Sequence, residues 1–272
     1  MVRYTLEYNS NSLIVDSHGA TIVSGCINGY ELFFLSEKAV FDDKTPIRGG
    51  VPIVFPNFGH STNHNLPKHG FARIIQWSLE KRWNNLNNSG IILKLETNSE
   101  TLKFWNYKFK LLYTITLNNN NIMTELFIQN QDPISFNYQC LFHNYFKVSN
   151  LKWVRIANLD YIDYYDQLTH KISSHSEEIL INQEIDRVYG PTNNCVSILD
   201  TEYVLKVNSD ENQFHVVVWN PWEKKSKSLS DFGDEEFLDM VCVELGKLDS
   251  CKLKPWETKS FKQTITMSGI WT

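Results

Sequence analysis

Apolar and polar residues alternate with a period of two through most of this chain, in short runs rich in β-branched and aromatic side chains. The runs at 91–96 (IILKLE), 109–117 (FKLLYTITL) and 122–128 (IMTELFI) show the pattern, and 153–157, 203–207, 214–219 and 261–267 repeat it. Period two puts successive side chains on opposite faces of an extended backbone, so each run predicts a half-buried strand. Polar turn signals separate the runs at roughly the 8–12-residue spacing of sandwiches and barrels. Helical periodicity is scarce: 234–240 predicts a helical turn or two, and 177–181 is a weaker candidate. The expectation is an all-β fold of antiparallel strands, more than a dozen at about five to six residues each. Residues 1–272 read as a single domain, because no Gly-, Ser- or Pro-rich linker divides them and no long repeat recurs.

Composition then narrows the function classes. An apolar share of 42% with 13% aromatics is ample for a large buried core. The net charge of −5 is spread over short acidic and basic clusters, with no basic stripe suited to nucleic acid. Five cysteines (Cys26, Cys140, Cys195, Cys242 and Cys251) make an odd number without a CxxC pair, which argues against a zinc cluster or a secreted disulfide framework. No apolar stretch approaches the ~20 residues of a membrane-spanning helix. The N-terminal MVRYTLEYNS has no signal-peptide core. A reduced, cytoplasmic, soluble protein is expected, with no nucleic-acid or membrane partner.

Chemistry concentrates first in 46–73, PIRGGVPIVFPNFGHSTNHNLPKHGFAR. Arg48 precedes Gly49-Gly50, where the backbone can turn tightly and approach a ligand. Arg73 closes a second polar cluster that begins Lys68-His69-Gly70. Two guanidinium forks beside glycine turns in an apolar stretch suit bidentate contact with phosphate or carboxylate, and Lys68 adds a point charge. Ordinary surface ion pairs are the bland alternative.

Four further constellations stand along the chain. His143 lies in LFHNYF, where a hydrogen-bonded core histidine and a catalyst are both open. Glu244 lies in VCVELG, either facing solvent on an edge strand or acting as a partly buried base. Alternation would put it on one face with Cys242 and Gly246. Trp219 and Trp222, in 216–237, could wall a sugar site or simply pack. The DFG there lacks the glycine loop, strand lysine and HRD loop of a kinase. Asp186 beside Arg187 could be an ion pair.

Taken together and in order, IRGGVPIVFPNFG, LPKHGFAR, LFHNYF, EIDRVY, VVWNPWEKKSKSLSDFGDEEF and VCVELG resemble the aldose 1-epimerase-like family, in its hexose-6-phosphate mutarotase branch. The resemblance spans roughly residues 19–268. It implies a galactose-mutarotase-like super-sandwich and an isomerase without cofactor or metal, acting as a monomer on a small-molecule sugar phosphate. By that likeness His143 is the general acid and Glu244 the general base. Arg48 and Arg73 hold the phosphate, with Lys68 and Trp219 lining the substrate, and His69 and Asp186 bind hydroxyls or orient the pair. Three positions depart from the branch: Lys68 stands where Gln is common, Asn57 where Gln or an apolar residue is frequent, and Asn144 makes HNYF of the usual HTYF.

The chemistry so implied is ring opening at C1–O5 and reclosure on the other face. A base takes the C1 hydroxyl proton while an acid protonates O5, and the expectation is a carboxylate and an imidazolium on opposite sides of the hemiacetal. Glucose 6-phosphate is the expected substrate. A carbohydrate-binding or regulatory module that has lost turnover is the alternative from another class.

Overall fold

The structure is a computed structural model and describes residues 2–269. Its strands form three antiparallel sheets. A nine-stranded sheet runs in the order Ile179–Leu180, Arg155–Ala157, Val196–Leu199, Val204–Asn208, Thr258–Ser268, Asn121–Asn130, Phe109–Leu117, Ser89–Glu96, Ser78–Asn84. An eight-stranded sheet runs Lys171–Ser173, Tyr164–Asp166, Ile185–Thr192, Phe214–Asn220, Met240–Leu253, Phe136–Phe142, Ile53–Val54, with Tyr145–Lys147 also paired to Met240–Leu253. A smaller sheet of four strands is built from Arg3–Tyr8, Asn11–Asp16, Thr21–Ile27 and Tyr30–Glu31.

Alternation dictates the layering. In Phe109–Leu117 the residues Phe109, Leu111, Tyr113, Ile115 and Leu117 are buried and the intervening ones are partly exposed. That apolar face meets the eight-stranded sheet: Phe142 stacks against Tyr113 and against Phe261, each with ring centroids 5.6 Å apart. Burying side chains of this size stabilises the fold by roughly 1.5–3 kcal/mol each. The result is the super-sandwich that the family resemblance implies, and it agrees with the all-β reading of the residue pattern. No helix among the described residues is long and apolar enough to cross a membrane.

Two local expectations change. Residues 177–181 contain the short strand Ile179–Leu180 rather than a helical turn, because pairing with Arg155–Ala157 at the sheet edge overrides the weak helical pattern. At 234–240 the helix is a 3₁₀ turn, Glu236–Asp239. The glycines after Arg48 also serve a different purpose from the one expected. Gly50 has φ +65, and a Cβ there would lie 1.9 Å from the Ile22 carbonyl oxygen. Close backbone packing, not approach to a ligand, requires glycine.

Candidate active site

Glu244 sits in the middle of the long strand Met240–Leu253, flanked by Phe214–Asn220 on one side and by Phe136–Phe142 and Tyr145–Lys147 on the other. It is 1% exposed, so the solvent-facing alternative does not hold. Period two brings Cys242 and Glu244 to one face, and register adds neighbours: Cys242 is opposite Trp219 and Tyr145, and Trp219 is opposite Asp186. Asp186, Trp219, Cys242 and Tyr145 therefore form one row across the sheet. Arg187, one residue on, turns to the other face and pairs with Asp166 at 3.7 Å, so Asp186 and Arg187 are not partners.

His143 follows Phe142 where the backbone leaves the ladder, its N–H donating to the Pro52 carbonyl at 3.0 Å. Its Nδ1 lies 3.3 Å from Glu244 Oε1. The contact is close but not aligned as a hydrogen bond, and His143 Nδ1 and Glu244 Oε2 are both buried without a hydrogen-bond partner. Burial raises the Glu244 carboxyl well above the usual range, helped by Asp186. Burial, with Arg73 and Arg48, lowers the His143 imidazolium. These directions favour a neutral pair over an ion pair. The spacing differs from the expectation of a carboxylate and an imidazolium on opposite sides of a hemiacetal. At 3.3 Å the two groups stand side by side, with no room for a ring between them in this arrangement.

The imidazole of His143 lies parallel to the Tyr145 ring, centroids 4.6 Å apart and planes 6° apart. Trp219 meets both rings edge to face, at 6.3 and 6.0 Å, and so walls the site. Trp222 instead packs on Phe237 at 5.2 Å. His69 is 5.8 Å from His143 ring to ring. Its Nδ1 accepts the Gly59 N–H at 3.2 Å, which leaves the ring proton on Nε2 when His69 is neutral. Burial, with the neighbouring cations, favours that neutral form.

Three cationic side chains act on the pair, Arg73, Arg48 and Lys68, and a fourth, Lys225, lies within electrostatic reach of Lys68. Their acidic compensation is uneven. Arg48 is bound to Asp231 Oδ2 through Nε and Nη2, both at 3.1 Å, and its Nη1 donates to the Tyr145 hydroxyl at 3.0 Å. Lys68 feels Asp186, whose own carboxyl is pushed up to about 6 by burial. Arg73, on the 3₁₀ turn Ala72–Ile74, has no carboxylate in salt-bridge contact among the described residues, though it feels the charges of Glu244 and Asp231. Its Nη2 donates to the Lys68 carbonyl at 2.8 Å, and its Nε is buried without a partner.

Of the residues singled out from sequence, His143, Glu244, Arg48, Lys68, His69, Arg73, Asp186 and Trp219 all converge here. Tyr145, Lys225 and Asp231 were missed. Tyr145 is two residues from His143 in the same aromatic run; Lys225 and Asp231 lie within the Trp-rich segment. Two of the departures acquire structural roles. Asn144 turns away from the site to hydrogen-bond Gln263, and Asn57 braces the loop before Lys68 by donating to the Gly59 carbonyl at 2.9 Å. Donor-type atoms of His143, Cys242 and Glu244 lie within 4.8 Å of one another, a spacing a transition-metal ion could use. The surrounding cations oppose a dication there.

A family model described as aldose 1-epimerase matches residues 2–266. The chain belongs to the aldose 1-epimerase family. Within curated aldose 1-epimerase relatives, a Cenchrus ciliaris protein named "Putative glucose-6-phosphate 1-epimerase" is 36% identical over 255 residues, covering 89% of this chain and 76% of that protein. The crystal structure of a Salmonella typhimurium protein described as a "putative mutarotase" superposes with TM-score 0.87 at 26% identity, covering 98% of this chain and 94% of that one. A galactose 1-epimerase from Lactobacillus acidophilus, at TM-score 0.77 and 13% identity over 99% of this chain and 95% of that one, shares the fold. Family membership makes this an epimerase of the isomerase class.

Proposed function

We propose that this enzyme interconverts the α and β anomers of hexose 6-phosphates, glucose 6-phosphate foremost, without cofactor or metal. The observation that carries the phosphate part is Arg73: a guanidinium beside the catalytic pair, with a buried, unpartnered Nε and, among the described residues, no carboxylate in salt-bridge contact. Lys68 and Lys225 add positive charge around it. Arg48 contributes to that field, though its fork is engaged. The name of the Cenchrus ciliaris relative points the same way.

His143 and Glu244 share one exchangeable proton between them. In ring opening His143 donates to O5 while Glu244 takes the proton from the hydroxyl on C1. Both oxygens are bonded to C1, so two groups side by side reach them together. After rotation about C1–C2 the transfers reverse, and the pair again holds one proton. Arg73 and Lys68, which help to lower His143, also face the phosphate, so a bound dianion offsets them and favours the imidazolium where it is needed. Proton transfer by positioned groups contributes roughly 10²–10⁴-fold each. His69, Asp186 and Trp219 would bind hydroxyls and the sugar face. The same reading takes the chain as one domain acting as a monomer in the cytoplasm, where its free thiols are expected.

Exchange NMR between the anomeric signals of glucose 6-phosphate tests this. Exchange should accelerate with enzyme, at a kcat/KM exceeding that for glucose by at least about tenfold. Tight binding of glucose 6-phosphate without accelerated exchange would leave a binding module instead.

A further inference from the structure

Among the described residues no side-chain hydrogen bond orients His143. Its Nδ1 is buried 3.3 Å from Glu244 Oε1 without being aligned to hydrogen-bond it, so the ring plane is set mainly by packing. The packing partner is Tyr145, stacked at 4.6 Å and 6°. Tyr145 is itself fixed at its far end, where its hydroxyl accepts from Arg48 Nη1 at 3.0 Å. Arg48 is fixed in turn by Asp231, on which Nε and Nη2 both converge at 3.1 Å. All three guanidinium nitrogens are thus engaged, in contrast to Arg73. The Asp231 loop is anchored too: Glu236 accepts from Ser36 Oγ at 2.6 Å, Glu37 N at 2.7 Å and Gly233 N at 2.6 Å. An unbroken chain of contacts leads from a tethered loop to the imidazole.

We propose that Asp231, Arg48 and Tyr145 are positioning residues for His143, so that Arg48 serves the chemical step rather than the grip on phosphate. The proposal rests on the reading of His143 as the acid–base group. An acid must point at O5 along its N–H direction, and a small misplacement of such a group can cost on the order of 10²-fold in rate. A parallel phenol prevents the imidazole from rocking out of its plane. A tether on the phenol prevents the stack from sliding.

The test is a kinetic cycle on glucose 6-phosphate with Arg48→Gln, Tyr145→Leu and the double variant, each checked by circular dichroism. Each single variant should lower kcat by ~10–100-fold while KM moves less than ~3-fold. The double variant should be within ~3-fold of Tyr145→Leu, because the two act through one path. Tyr145→Phe keeps the stack and cuts only the Arg48 contact; it should lose ~3–10-fold in kcat, and it reads the link even if Arg48→Gln does not fold. A KM rise of ~10-fold or more in Arg48→Gln with kcat intact would make Arg48 a phosphate ligand and overturn the proposal. Multiplying effects in the double variant would overturn it as well. His143→Ala separates the two levels. If it keeps the wild-type rate, the acid–base reading itself fails. If it is inactive while Tyr145→Leu is unimpaired, only the positioning assembly fails.

Discussion

Asn144 Nδ2 donates to the Val243 carbonyl at 2.8 Å, which fastens the residue after His143 to the residue before Glu244. The same side chain exchanges two hydrogen bonds with Gln263, at 2.8 and 2.9 Å, from the opposing sheet. The segments that carry His143 and Glu244 are thereby tied to each other and to the second layer of the sandwich. Asn144→Ala leaves the Gln263 amide and the Val243 carbonyl buried without these partners. Each unsatisfied group costs about 1–3 kcal/mol, so urea unfolding should show a loss of roughly 2 kcal/mol or more. kcat should fall with it, by about tenfold, since the spacing of the pair is no longer fixed. A variant with wild-type midpoint and rate would show that the tie is dispensable.

Removing either member of the pair should stop catalysis without unfolding the protein. His143→Ala and Glu244→Gln are each expected to lower accelerated anomerisation by at least about 10²-fold. Polarimetry on freshly dissolved glucose 6-phosphate measures this directly. Near-wild-type rates in both variants would reject the assignment.

The site also leaves a mark on the pH dependence of stability. Folding raises the Glu244 carboxyl well above its ordinary 4.5, through burial and Asp186. Above pH 4.5 the unfolded chain therefore releases a proton that the folded protein keeps, and stability falls as pH rises through the folded value. His143 has the opposite sign. Lowered by burial from 6.5, it gives stability that is complete above pH 6.5 and lost as pH falls toward the folded value. Glu244→Gln removes the first effect, so the variant should gain on the wild type as pH rises from about 5 to 8. Urea midpoints across that range decide it; parallel curves would mean that Glu244 ionises in the folded state as it does in the unfolded one.

Substrate discrimination should be concentrated at Arg73. Charge-assisted hydrogen bonds contribute about 1.5–3 kcal/mol, so Arg73→Ala should raise KM for glucose 6-phosphate by roughly 10–100-fold and leave KM for glucose nearly unchanged. Lys225→Ala, an exposed cation, should have a smaller effect of about 2–5-fold that fades as salt is added. Equal losses on phosphorylated and free sugar would remove the phosphate assignment.

Much of this was legible along the chain. Period-two alternation set the strand at 109–117 to the residue, because one face must be buried and a slip of one position would expose it. It also put Glu244 and Cys242 on a common face. The weak pattern at 177–181 misled because edge pairing, a contact remote in sequence, outweighed local preference. Arg48 misled in another way. Its glycines looked like room for a ligand and proved to be room for the Phe34 and Ile22 backbone.

Residue types and their alternation by themselves determined the all-β class, the buried faces and, with the collinear motifs, the family and the residues brought to the site. Burial and strand pairing are written into local patterns, so no long-range information was needed for them. Only the tertiary structure decided how those residues share the work. Register across the Asp186–Trp219–Cys242–Tyr145 row, the side-by-side setting of His143 and Glu244, and the engagement of Arg48 by Asp231 are distances between segments far apart in sequence. A guanidinium in a sequence is only a charge; which carboxylate reaches it first is a matter of packing.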